Sequence, residues 1–293
     1  MAERESSIYD LGYRHYAGRN LGRRGTLTTL YVHGLRAVFG LGRKTTSKII
    51  PVGLAVLAFL PAIVQLGIGA LTSALGDVEI FKHEDYFDYV QVILVLFCAA
   101  VAPELVGRDQ RSRTLSLYFS RSLTRLDYVL AKLAALVTAM LVLTLGPQVV
   151  LYVGNGMIGD DVPGYLADSW DLVPPILGGA LVVSVAIASI GLAIAAYLPR
   201  RAYASTAIVG AYLLTLAAGN ILMETIDPSA ARWAQLVGPL AWEGAIAWLF
   251  RVELTGQPFD DGRLDGWVYL TAIALVAVAS VALTVRRLRR VTA

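Results

Sequence analysis

The chain has 293 residues, 56% of them apolar, with a mean hydropathy of +0.61 and a formal charge of +3. Only 16% are charged, against about 25% in soluble domains, which excludes an ordinary soluble globular protein. A single cysteine excludes a disulfide framework. The net charge is mild, so its distribution matters more than its total.

The opening MAERESSIYDLGYRHYAGRNLGRR has no apolar core and does not read as a signal peptide. Residues 1–45 are expected to form a cytoplasmic N-terminal segment, and 46–293 one transmembrane domain. Within the first part, Thr26–Gly40 places Leu27, Leu30, Tyr31, Leu35, Val38 and Phe39 along one helical stripe. With flanking arginines this predicts an amphipathic helix lying in the inner interface, in preference to a plain lead-in to the first span.

A spanning helix needs about 20 predominantly apolar residues. Six runs meet that length: Ile49–Leu71, Phe87–Val106, Tyr128–Val153, Pro174–Leu198, Tyr203–Met223 and Trp267–Val285. The expected fold is an all-α integral membrane protein of six transmembrane helices.

Loop charge alternates with these spans. Arg4, Arg14, Arg19, Arg23, Arg24, Arg36, Arg43, Lys44 and Lys48 precede the first span. The next connection holds Lys82 against Asp77, Glu79, Glu84, Asp85 and Asp88. Arg108, Arg111, Arg113, Arg121 and Arg125 follow the second span, and Asp160, Asp161, Asp168 and Asp171 the third. Arg200 and Arg201 follow the fourth, acids outnumber Arg232, Arg251 and Arg263 after the fifth, and Arg286, Arg287, Arg289 and Arg290 end the chain. Because basic loops stay inside, both termini are predicted cytoplasmic in a multi-pass cell-membrane protein.

Leu236–Phe250 is apolar but only about 15 residues long, short of a span. Pro239, Glu243 and Gly244 interrupt it. A seventh crossing would also put the arginine tail outside, so a re-entrant or interfacial hairpin is expected before the sixth span. Trp233, Trp242 and Trp248 suit an interfacial aromatic belt.

Catalytic chemistry is sparsely supplied. His15, His33 and His83 lie outside the spans and Cys98 stands alone, which disfavours an embedded metal site. Ser184, Ser189 and Ser280 lie within spans with no evident buried His or Lys to activate them, and helical serines usually bond their own backbone. Gly40–Thr45 (GLGRKT) lacks the spacing of a phosphate-cradling loop, so nucleotide energy would have to come from another chain. The basic tail reads as a topology and lipid-headgroup anchor, with no nucleic acid expected. Among the few polar groups near spans, Gln65, Asn220 and Glu224 are candidates for a translocation path, although water can reach Glu224 near its span's outer end.

The most informative stretch is PELVGRDQRSRTLSLYFSRSLTRLDYVLAK, Pro103 to Lys132. It resembles the cytoplasmic loop between the second and third spans of ABC-2 type transporter permeases. Their pattern runs as a glutamate ending the second span, a mixed-charge patch, Gly-Thr-Leu, a short apolar run, Pro-x-Ser-Arg, then a lysine entering the third span. Glu104, Asp109, Arg111, Thr114, Leu115, Leu117, Thr124, Arg125 and Lys132 fall in matching positions. Arg113 stands where the family usually has glycine, and Ser122 where it often has proline.

The resemblance implies an ATP-driven transporter in which two permeases, identical or sister chains, pair with two ATPase subunits. ATP and Mg would sit on the ATPase, and this chain, itself no enzyme, would bind no cofactor. The loop would be a coupling helix docked on the ATPase. Arg108, Asp109, Arg111 and Arg113 would set its register, Leu115 and Leu117 would anchor it, and Glu104, Thr114 and Arg125 would complete the ATPase contact. Short outer loops leave no dock for a solute-binding protein, which favours export. The alternatives are a self-contained membrane enzyme acting on lipid or peptide, and a non-catalytic membrane scaffold.

Overall fold

The computed structural model describes residues 22–42, 46–72, 83–120, 123–158, 162–225, 227, 232–252 and 264–291. The loop charges at 4, 14, 19, 43, 44, 77, 79, 82, 121, 160, 161 and 263, and Ser122, lie outside them. Among the described residues all regular structure is helical, and six helices are long and apolar enough to cross a membrane. This is the architecture of a multi-pass membrane protein.

In chain order the elements are α1 (Gly22–Val38), α2 (Thr46–Thr72), α3 (Asp85–Ala102), α4 (Arg108–Arg111), α5 (Leu115–Phe119), α6 (Arg125–Ile158), α7 (Val162–Asp168), α8 (Val173–Tyr197), α9 (Arg201–Thr225), α10 (Pro239–Phe250) and α11 (Gly266–Val291). The long helices are α2, α3, α6, α8, α9 and α11, and each overlaps one of the six apolar runs; most extend a little past them, but α3 stops at Ala102, short of Val106, and α8 stops at Tyr197. At the centre lie α3 and α8, whose most apolar stretches are 78% and 72% buried, whereas α2 and α9 bury 17% and 11%. The exposed faces of α2 and α9 are therefore left to lipid or to another chain.

The spans alternate in direction. Contacts described below gather the end of α3, the starts of α6 and α9 and the end of α8 at one pole. The ring of Tyr197, closing α8, lies 5.6 Å from the Arg287 guanidinium near the end of α11. Leu66 and Gly69 of α2 meet Gly154 and Ile158 of α6, so these two helices run the same way. One pole thus collects Arg108, Arg111, Arg113, Arg200, Arg201, Arg286 and Arg289, while Glu84, Asp85, Asp168 and Asp171 mark the other.

Proline placement is matched by hydroxyls from neighbouring helices. A proline inside a helix removes the N–H that would bond the carbonyl four residues back. Pro147 in α6 frees the Leu143 carbonyl, and the Tyr86 hydroxyl of α3 donates to it at 3.2 Å. Pro103 frees the Ala99 carbonyl, and Ser205 Oγ of α9 donates to it at 2.6 Å. Away from water these bonds replace what the proline removed. Pro103 also opens a π-turn, Pro103–Gly107, that hands α3 over to α4.

Central packing relies on close approach. A Cβ on Gly191 of α8 would lie 2.1 Å from Cys98 Sγ of α3, so methyl and sulfur compete for one volume. Gly191→Ala is expected to destabilise by about 1–3 kcal/mol through overpacking. In a Cys98→Ala background the same substitution should be nearly neutral, which thermal melting of the four variants will read.

The predicted interfacial helix is α1, and it is pinned to α6. Arg23 forms a two-bond pair with Asp127 at 2.9 and 2.7 Å, and Tyr31 donates to Thr138 Oγ1 at 3.0 Å. Gly34 passes so near Ala135 that an added Cβ would sit 3.0 Å from its methyl. Leu30 and Val38 are buried and Leu27, Leu35 and Phe39 partly so, as the stripe predicted.

The predicted hairpin is a short helix, α10, of 12 residues. At about 1.5 Å per residue it spans less than two-thirds of a bilayer core of about 30 Å. It enters at Gly238, whose φ of +56 and tight contact with Thr215 suit glycine alone. The aromatic belt needs one correction. Trp233 and Trp248 are exposed, but Trp242 is 5% exposed and donates its indole N–H to Gln91 Oε1 at 2.9 Å. Its neighbours Leu240, Ala241 and Ala245 face the bundle core, so the helical azimuth carries Trp242 inward.

Candidate functional site

The segment between the second and third spans is built as a π-turn and two short helices that together hold three long ones, α6, α8 and α9. Gln110 and Arg111 of α4 reach α8: Gln110 Nε2 donates to the Ala196 carbonyl at 3.0 Å, and Arg111 Nη1 donates to that of Pro199. Carbonyls at a helix end lack intrahelical partners, so Gln110 caps α8 itself, while Arg111 bonds the connection just beyond it and sets its charge near the end where the helix dipole favours a cation. Gly107 makes room for this, since a Cβ there would lie 3.0 Å from the Pro199 carbonyl oxygen. Glu104, in the π-turn, pairs with Arg201 at the start of α9 at 3.6 Å.

Asp109 is the centre of the segment. Its Oδ2 takes the Lys132 ammonium of α6 at 2.9 Å and the Tyr128 hydroxyl at 2.7 Å. Lys132 is 3% exposed, so its charge has left water and Asp109 is the compensating group. Tyr118 and Phe119 of α5 pack against the Tyr128 ring at 5.7 and 5.9 Å. Burial raises the Tyr118 phenol pKa, and the Asp109 carboxylate adds to that while Arg108 opposes it.

The turn from α4 to α5 explains the departure at Arg113. Thr114 N–H bonds the Asp109 carbonyl at 3.1 Å and Arg113 N–H that of Gln110 at 3.2 Å. That is the Schellman pattern, whose pivot residue is left-handed and usually glycine. Arg113 is the pivot, with φ +54. The left-handed conformation costs a non-glycine residue about 1–2 kcal/mol, partly offset by glycine's greater unfolded freedom. Arg113→Gly is therefore expected to stabilise the chain by about 0.5–1 kcal/mol, seen as a small rise in melting temperature.

The second half of the segment closes through α6. Thr124 and Asp127 form a reciprocal capping box, each backbone N–H bonding the other's side chain at 3.1 Å. The outer oxygens of Asp127 also receive Arg23, which joins α1 to the same point. The Arg23–Asp127 hydrogen bond, followed by their charge attraction, raises the Arg23 pKa. Arg125 lies over the Phe119 ring at 5.5 Å.

The sequence-selected residues thus divide. Glu104, Asp109, Arg111 and Arg125 are engaged within the chain, Thr114 Oγ1 bonds the Asp109 carbonyl at 3.2 Å, and Leu115 is buried. Arg108, Arg113 and Leu117 are exposed, Leu117 at 68%. Sequence reasoning missed the capping role of Gln110 and the anchoring role of Tyr128. A lysine entering an apolar run was the available signal, because such a charge demands a partner.

The three translocation candidates occupy different surfaces. Gln65 lines a groove with Tyr86, Tyr89 and Ile93 between α2 and α3. Asn220 and Glu224 lie one turn apart on the exposed part of α9, where Asn220 Nδ2 bonds its own helix at the Leu216 carbonyl, 3.1 Å away.

Two buried polar groups add to the sequence picture. His83, outside the spans in sequence, is nonetheless 7% exposed, and its Nδ1 lies 2.7 Å from Gln148 Oε1. Gln91 Nε2 donates to Glu243 at 3.1 Å, joining α3 to α10 beside Trp242. A buried His and a buried Lys do exist, but Gln148 and Asp109 hold them, and among the described residues neither bonds Ser184, Ser189 or Ser280. Ser189 Oγ bonds the Ala186 carbonyl at 3.0 Å, as expected of a helical serine, whereas Ser184 Oγ is buried without a partner among the described residues. Among those residues no three His, Cys, Asp or Glu side chains gather into a metal site.

No family model matches the chain, and no curated protein is significantly similar to it.

Proposed function

We propose that the chain is the membrane-spanning permease subunit of an ATP-driven transporter of the ABC-2 type, working as an exporter. In this reading the basic pole faces the cytoplasm and a separate ATPase, carrying ATP and Mg, grips the 103–132 segment. A second permease, identical or sister, completes the assembly against an exposed helix face such as that of α2 or α9.

The observation that carries the reading is the division of labour within that segment. Its inner side chains bind α6, α8 and α9, so a push on the segment is delivered to three spanning helices together. Its outward side offers a charge, Arg113, beside an apolar side chain, Leu117, as a docking face needs. A basic loop that merely obeys topology has no use for Gln110, Asp109 and Arg111 being held so closely. ATP could then bias the bundle only through contacts that differ between its two states.

The test is copurification of the full chain with a separately encoded ATPase, followed by Mg-ATP hydrolysis in liposomes. Hydrolysis that depends on the chain supports the transporter. Activity of the purified chain alone on lipid or peptide would make it an enzyme, and an ATPase indifferent to the chain would leave a scaffold. Orientation is read separately in a Cys98→Ser background. A cysteine replacing Arg290, which is exposed while Leu288 is buried, should label only from the cytoplasmic side.

A further inference from the structure

Between α1 and the joint of α3 with α4 lies a cavity of about 720 Å³ at the basic pole, lined by His33, Arg36, Leu41, Arg108, Tyr118 and Lys132 among others. Its charges do not cancel. The two acids on its wall are already committed, Asp109 to Lys132 at 2.9 Å and Glu104 to Arg201 at 3.6 Å. Arg36 and Arg108 are exposed and have no ion-pair partner among the described residues. They approach from different elements, Arg36 from the last turn of α1 and Arg108 from the start of α4. Two guanidinium forks facing one space match a phosphate, which accepts paired N–H bonds from each.

The surroundings narrow what carries the phosphate. The cavity opens where the long helices end, the level at which headgroups sit on a bilayer of the thickness these spans match. Leu41 stands on its rim at 55% exposure, and Val32 is 43% exposed in the adjoining groove beside His33 and Arg36. Exposed apolar groups next to a cationic recess fit a molecule with a charged head and apolar tails. They are of no use to a free anion. The bland explanation, that Arg36 merely complements the dipole at the end of α1, leaves Arg108 and the recess between them without a role.

We propose that this cavity binds the headgroup of an anionic phospholipid, with Arg36 and Arg108 on its phosphate and Leu41 and Val32 against its chains. The inference goes beyond the transporter reading and requires only that the basic pole lie at a membrane surface. It also separates Arg108 from Arg113 and Leu117: Arg108 serves lipid, and the other two serve the partner.

The experiment uses the purified full chain in neutral detergent, without any ATPase, so its outcome is independent of the transporter reading. Phosphatidylglycerol or phosphatidylcholine is added, and bound lipid is counted by native mass spectrometry alongside the melting temperature. The wild-type chain should retain phosphatidylglycerol and melt at a higher temperature with it, and phosphatidylcholine should do neither. Arg36→Gln with Arg108→Gln should lower retention at least tenfold, while Arg232→Gln with Arg251→Gln, which removes equal charge from exposed side chains elsewhere, should leave it unchanged. Equal loss in both double variants, or none in the first, overturns the site. Equal stabilisation by glycerol 3-phosphate assigns the recess to a soluble anion and overturns the lipid. Should the glutamine pair fail to fold, Arg36→Lys with Arg108→Lys keeps the charge but loses the forks. It must then bind phosphatidylglycerol more weakly than wild type; unchanged binding overturns the phosphate grip. Displacement of bound lipid by an acidic segment of a partner chain would reassign the recess to protein docking.

Discussion

Asp109→Asn is expected to destabilise the chain by about 3–5 kcal/mol, the largest effect of any single substitution in the segment. The Lys132 side chain is 3% exposed and its ammonium has Asp109 2.9 Å away as counter-charge. Removing the carboxylate leaves a buried cation that must either stay uncompensated or lose its proton, and both are costly. The Tyr128 hydroxyl would also lose a charged acceptor at 2.7 Å. Lys132→Met should cost less, because the stranded Asp109 is 15% exposed and keeps the Tyr128 bond. The double variant, Asp109→Asn with Lys132→Met, should return to within about 1–2 kcal/mol of wild type, since a buried pair can often be replaced by neutral groups of similar size. Melting curves for the four proteins give the coupling directly. Additive losses would show that the pair is not the keystone of the segment.

If the proposed ATPase docks on this segment, Arg113→Glu combined with Leu117→Asp is expected to weaken that association by about 100-fold or more, with the melting temperature of the chain itself little changed. Both side chains are exposed, so the fold has little stake in them. Reversing a docking charge and putting a charge into an apolar anchor each cost about 2–5 kcal/mol at an interface, and about 1.4 kcal/mol is tenfold. Glutamate occupies the left-handed pivot no better and no worse than arginine, so the backbone contribution cancels. Arg111→Glu would be a poorer probe, because Arg111 bonds the Pro199 carbonyl and its loss would disturb the end of α8. Retained copurification and ATP-driven transport in the double variant would sink the coupling role.

Much of this molecule is legible in its sequence. Six apolar runs correspond to six helices long and apolar enough to cross a membrane, because a bilayer selects on summed hydropathy over about 20 residues, a property of composition within a window. Arg108, Arg111, Arg113 and the later arginines collect at one pole because alternating helices bring alternate connections together. The stripe Leu27, Leu30, Tyr31, Leu35, Val38 could be read from its 3.6-residue period, and α1 buries it. Leu236–Phe250 was too short to span, and α10 is too short to span.

What the sequence left undetermined was the partner of each polar group. Trp242 reads as an interfacial aromatic in a row with Trp233 and Trp248, yet the azimuth of α10 turns it onto Gln91. Arg111 and Arg113 look equivalent two residues apart, but one bonds the Pro199 carbonyl just beyond α8 and the other stands exposed at a left-handed turn. The resemblance marks Arg113 only as a departure from glycine; the Schellman bonds explain why glycine belongs there. Hydropathy and net charge add up along the chain and survive without a fold. Hydrogen bonds and ion pairs need two groups within about 3 Å. Only the packing of α1, α3, α6, α8 and α9 decides that Asp109 meets Lys132, that Ser205 meets the carbonyl freed by Pro103, and that Arg36 and Arg108 face one recess.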